Sequence, residues 1–150
     1  MSEAWPDLAG RVDSGRHVLP IRVYYEDTDF SGAVYHANYL KFCERGRSDC
    51  LRILGIHQTQ GGMGFVVRRM ACEFLKPARI DDLLEVETRF VEMAGARMEL
   101  EQKVRCGGDS LFAARVTVAL VDAQGRPRRM PRDMAKAMAL LPQSGSVTQP

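Results

Sequence analysis

The spacing of apolar residues changes once along this chain, and that change limits the folds open to it. Over 36–54, Tyr39, Cys43, Gly46, Cys50 and Leu54 recur at intervals of three and four, while Lys41, Arg45, Ser48 and Arg52 occupy another face. This is the period of an amphipathic helix with one buried stripe. Further along, the period becomes two. Leu84, Val86, Thr88 and Phe90 alternate with Glu85, Glu87 and Arg89, and Met98, Leu100, Gln102, Val104 and Cys106 alternate with charged neighbours. Ala114, Val116, Val118 and Leu120 continue the alternation. The short connections Ala94-Gly95 and Gly107-Gly108-Asp109 predict antiparallel hairpins.

Two further strands are predicted, one over 18–25 and one over 65–75 that stops near Pro77. A short amphipathic segment over 131–141 opens with Pro131 at a first-turn position. The order is strand, loop, long helix, then four antiparallel strands: an α+β plan in which one sheet covers one helix. Gly46 lies on the buried stripe, where it weakens the helix, so a close approach of backbone is its predicted use. The chain of 150 residues makes one ordinary domain. Residues 1–16 are predicted as a polar N-terminal tail, 17–141 as the folded domain, and 142–150 as a disordered tail.

Several functional classes fall away on composition. A formal net charge of +2 gives no footprint for nucleic acid or an anionic membrane. No apolar run approaches the ~18 residues of a membrane helix. The first residues, Met-Ser-Glu-Ala-Trp-Pro-Asp, lack the basic and apolar regions of a secretory signal, so a cytoplasmic location is expected. Cys43, Cys50, Cys72 and Cys106 show no C-x-x-C spacing and read as reduced, small hydrophobes.

The chemistry gathers between the first strand and the helix. Asp27, Asp29, His36 and Asn38 stand close together where the helix begins. Free N–H groups at a helix start favour negative charge. A carboxylate held opposite them supplies both halves of an acyl-transfer site: amides that stabilise an oxyanion, and a nucleophile or base. Gly32 would let the loop backbone approach a ligand. On spacing alone, N-capping and turn formation explain the same residues equally well. A metal site from Asp27, Asp29 and His36 matches no established ligand pattern.

The run Tyr25-Glu26-Asp27-Thr28-Asp29-Phe30-Ser31-Gly32-Ala33-Val34-Tyr35-His36-Ala37-Asn38-Tyr39-Leu40 resembles the signature of hotdog-fold thioesterases. It is most similar to the Tol-Pal-associated acyl-CoA thioesterases and the 4-hydroxybenzoyl-CoA thioesterase group. The likeness extends through Glu44-Arg45-Gly46-Arg47 and Phe74-Leu75-Lys76-Pro77-Ala78, and covers about 18–140. It implies an antiparallel sheet of five to six strands wrapped around one long helix. It implies Asp29 as the catalytic carboxylate, with the backbone N–H near His36 polarising the carbonyl and the His36 imidazole in a provisional catalytic role. Gly32, Tyr35, Asn38 and Tyr39 would shape the substrate pocket. The substrate would be an acyl-CoA or an acyl-carrier protein, with no metal and no cofactor beyond the substrate's own CoA. Sites would form between subunits of a homodimer or homotetramer.

Three other features bear on the site and its partners. Glu44, between Arg45 and Arg47, reads as an exposed salt-bridged residue, although related hotdog enzymes place a catalytic carboxylate on the helix. Arg126, Arg128, Arg129 and Arg132 could meet CoA phosphates or an acidic carrier, which motivates the alternative of a non-catalytic acyl-carrier-binding or membrane-complex-associated module. Phe65, Val67 and Met70 are predicted to set the volume of the acyl pocket.

Overall fold

The structure is a computed structural model that describes residues 8–57, 60–139 and 141, so the predicted tail at 142–150 lies outside the described residues. Six strands and two α-helices follow in the order β1 (Arg11–Asp13), β2 (Arg16–Arg22), α1 (His36–Ile53), β3 (Gly64–Phe74), β4 (Leu83–Ala94), β5 (Arg97–Cys106), β6 (Asp109–Val121) and α2 (Arg132–Met138). The strands form one sheet in the order β1-β2-β4-β5-β6-β3, with every neighbouring pair antiparallel. α1 carries the chain across the sheet, from β2 near one edge to β3 at the other. The hotdog arrangement implied by the loop signature is thus present.

The alternating pattern decides which side of the sheet faces α1. Leu19 pairs with Val86, Val86 with Val104, and Val104 with Phe112, so one row of apolar side chains crosses four strands. α1 buries Tyr39, Phe42, Cys43, Gly46, Cys50 and Leu51 against this face. Phe42 and Phe112 are fully buried, and each such side chain contributes about 1.5–3 kcal/mol.

Gly46 is the point of closest approach between helix and sheet. A Cβ built there would lie 2.8 Å from Val86 Cγ1 and 3.1 Å from Thr88 Oγ1. Beside it, Gln102 Nε2 donates to the Cys43 carbonyl and to Thr88 Oγ1, each at 2.9 Å. Arg47 Nη1 donates to Gln102 Oε1 at 2.9 Å. The polar groups under the helix therefore satisfy one another, as burial demands.

The N-terminal boundary differs from the predicted one. Residues 1–16 include β1, and β2 starts at Arg16 rather than at 18. Ser14 and Gly15 both take positive φ, 54° and 78°, the geometry of a tight two-residue hairpin turn. Ala9 and His17 are buried, and Ala9 O lies 2.6 Å from His17 Nε2. Residues 25–27, assigned to the first strand or the loop after it, form a 3-10 turn (Tyr25–Asp27).

Candidate active site

The loop between β2 and α1 is fixed at both ends before it presents any chemistry. Asp27 is buried, and its two carboxylate oxygens are both used: Oδ2 accepts from Tyr24 N at 2.8 Å and Oδ1 from Asn38 Nδ2 at 2.9 Å. Tyr35 N donates to the Asp27 carbonyl at 2.9 Å. On the other side, Val34 N donates to Ala78 O at 2.9 Å, and Ala33 bridges Arg79. The loop is thereby tied to the helix start and to the segment that joins β3 to β4.

Asp29 stands on the turn that these anchors hold. Asp29 N donates to Ala33 O and Gly32 N to Asp29 O, both at 3.0 Å, with Gly32 at φ +85°. Its Oδ1 accepts from Ser31 Oγ at 2.5 Å and from Ser31 N at 2.9 Å. Oδ2 has no protein partner among the described residues, and the residue is exposed. The Ser31 hydroxyl, then the Ser31 amide, hold the Asp29 carboxyl below the ordinary aspartate value, with a smaller contribution from the charge of His36. Asp29 is an ionised carboxylate with a free oxygen.

α1 begins at His36 without a side-chain cap and without an acidic residue in its first turn. Asn38 N donates to Tyr35 O at 2.8 Å. No acceptor among the described residues meets the N–H of His36 or Ala37, two of the donors that a helix start leaves open. Capping and turn chemistry, which explained the whole cluster equally well on spacing, account here for Asp27 and Asn38. They account also for Oδ1 of Asp29, which accepts from Ser31 N two residues on as in an Asx turn, but not for its Oδ2 or for the two open amides.

The remaining predicted residues divide. The His36 ring is exposed, 4.5 Å from the Tyr35 ring and 6.3 Å from that of Phe74 by centroids. Tyr35 is also exposed, so both can meet a ligand. Asn38 is partly buried and acts on Asp27, not on open space. Tyr39 is only 4% exposed, stacks on Phe112 at 5.1 Å, and its hydroxyl accepts from Ala78 N at 2.9 Å. Burial pushes its phenol up.

Other expectations are settled by side-chain direction. Glu44 is exposed and has no cation within 4 Å among the described residues, while Arg47 turns inward to Gln102. Arg126 and Arg128 both bind Asp122 Oδ2, at 3.1 and 3.2 Å, and so clamp their own loop. Among the described residues no group of three or more His, Cys, Asp or Glu could hold a metal ion.

One feature was only half legible in sequence. A cavity of about 290 Å³ lies between α1, β3 and the inner face of the sheet, lined by Glu44, Arg47 and Ser48 and by apolar residues that include Phe65, Val67 and Phe90. Phe65 and Val67 were predicted pocket residues; Met70 lies outside the lining. Arg47 was missed, since an arginine beside other charges on a helix gives no sign of turning inward.

The sequence matches the profile of the thioesterase superfamily over residues 31–113. It is 42% identical over 124 residues to the acyl-CoA thioesterase YbgC of Haemophilus influenzae, covering 79% of this chain and 91% of that protein. It is 40% identical over 122 residues to the acyl-CoA thioester hydrolase YbgC of Escherichia coli, covering 77% and 90%. Among solved structures, a probable thioesterase from Bartonella henselae superposes with a TM-score of 0.75 at 46% identity, over 77% of this chain and 99% of that one.

Proposed function

This chain belongs to the thioesterase superfamily, and from that premise we propose that it hydrolyses acyl-CoA thioesters with Asp29 as the catalytic carboxylate. It is a thioester hydrolase, as its relatives are. What supports the assignment of Asp29 is that its Oδ2 has no hydrogen-bond partner among the described residues, and that the amides of His36 and Ala37 at the start of α1 have none either.

In the proposed reaction the thioester oxygen lies toward the two amides, which stabilise the negative charge that develops on it. Asp29 either takes a proton from a water that attacks the carbonyl carbon, or attacks that carbon itself and is released by water. On either route the carbon–sulfur bond breaks, water supplies the new oxygen of the acid, and a proton ends on the CoA sulfur. His36, exposed beside Tyr35, is proposed to contribute its backbone N–H first and its imidazole as a neighbour of the carbonyl. Gly32 and Tyr35 are proposed to border the substrate. No residue role here requires a metal or a further cofactor.

The site is proposed to be completed by a second copy of the chain. β3 is an edge strand whose Val66, Val67 and Phe74 are 44%, 47% and 53% exposed. An open edge strand is a template for pairing, and here its apolar ends flank the exposed Arg68 and Arg69. Antiparallel pairing of two β3 strands about their middle places the Phe65 end of one copy beside the Phe74 end of the other. The cavity of one copy would then face the Asp29 loop of its partner. Of the four arginines that motivate the carrier-module alternative, Arg126 and Arg128 bind Asp122, whereas Arg129 and Arg132 are exposed with no ion pair among the described residues. Steady-state release of free thiol from a panel of acyl-CoAs tests the proposal: turnover of at least one member supports it, and no turnover across short, long and aromatic acyl groups refutes it.

A further inference from the structure

We infer that Arg47 makes the cavity beneath α1 a selective acyl pocket, one that takes a short acyl group ending in a hydrogen-bond-accepting oxygen. The inference rests on the thioesterase reading above.

The cavity's size sets the first limit. At about 290 Å³ it stands at the lower end of small-molecule sites, enough for a short acyl group or a single ring. Its walls are apolar: Leu51, Phe65, Phe90, Met98, Leu100 and Val118. A plain alkyl end would suit such walls alone. The polar side, however, is not what an alkyl pocket needs.

Arg47 carries five N–H donors, and one bond, from Nη1 to Gln102 Oε1, is made to protein among the described residues. No carboxylate among the described residues lies within 4 Å of it. Burial works against its charge, more than the attraction of Glu44 restores it. A half-buried cation with spare donors, facing an apolar cavity, favours an oxygen acceptor over a methyl group. Glu44 sits at the same rim and is exposed, so a hydroxyl can also donate to it. The shared chemistry is an accepting oxygen; carboxylate, keto and hydroxyl ends are its sources.

The test compares short acyl-CoAs of equal length ending in methyl, hydroxyl, keto or carboxylate, together with their non-hydrolysable thioethers as binding probes. The wild-type protein should favour at least one oxygenated end over methyl by about tenfold or more in kcat/KM. Arg47→Met should abolish that preference, read as the ratio of kcat/KM between oxygenated and methyl ends, and Arg47→Lys should restore part of it. A wild-type protein that favours methyl or ignores the end group overturns the inference, whether or not Arg47→Met folds. So does an Arg47→Met variant that loses all substrates equally. Preferential thioether binding without hydrolysis would uphold the pocket and refute the thioesterase reading. Failure of every thioether to bind would overturn the pocket, and the thioesterase reading would then be decided separately by turnover across the acyl-CoA panel.

Discussion

The side-chain amide of Asn38 donates to the buried carboxylate of Asp27 at 2.9 Å, so the first turn of the helix holds the loop that presents Asp29. Asn38→Ala leaves that carboxylate oxygen without its partner, at a cost of about 1–3 kcal/mol. Urea unfolding should report the loss, and kcat should fall more than KM rises, because the displaced part is the carboxylate and not the binding surface.

Asp29 titrates below the ordinary aspartate value of 3.8, mainly through the Ser31 hydroxyl. A depressed folded value means that the ionised form is retained as pH falls, until the folded value is passed. The acid limb of kcat/KM should therefore lie below that of an unassisted aspartate. Ser31→Ala should move that limb to higher pH while leaving the rate at neutral pH nearly unchanged. A limb that stays in place in the variant would show that Asp29 does not control it.

Gly46→Ala brings a methyl group to 2.8 Å from Val86 Cγ1. The helix must then lift from the sheet, and overpacking of this kind costs about 1–3 kcal/mol. Chemical denaturation of the variant should show it.

Burial pushes the thiols of Cys43 and Cys50 up to about 12. Neither should react with a thiol-alkylating reagent in the native state near neutral pH, since thiolate is the reactive form. Cys72 and Cys106, which are only partly buried, should label first. Mass spectrometry of the labelled protein reads the order directly.

A charge on the open edge tests the proposed pairing of subunits. Ala71→Glu, at an exposed position of β3 outside the cavity lining, should shift the protein toward monomer in light scattering and lower activity together with it. A fully active monomer would show that one chain holds a complete site.

Much of the architecture was legible because period alone separates helix from strand. The buried stripe through Tyr39, Cys43, Gly46 and Cys50 and the alternation of Leu100, Gln102 and Val104 both stand as read. β1 was not legible: three residues with an exposed pattern give no period, and its sole signal was the Ser14-Gly15 turn. In the site, spacing could not separate Asp27 from Asp29. Burial and hydrogen bonding do so, because both oxygens of Asp27 are consumed while Asp29 keeps one free. An aromatic near a loop can line a pocket or roof a core, and sequence does not show that Tyr39 stacks on Phe112 and is buried. Arg47 was hidden for a related reason: its inward turn depends on Gln102, fifty-five residues away.

The most direct test of the account is single-turnover hydrolysis of a good acyl-CoA substrate by wild-type protein and Asp29→Asn, with thermal melting and CoA binding measured alongside. The amide keeps the shape and can still accept from Ser31, but it can neither take a proton nor attack a carbonyl. The account predicts a rate lower by about 10²–10⁴, with folding and CoA affinity unchanged. An Asp29→Asn protein that hydrolyses the substrate at the wild-type rate would contradict it.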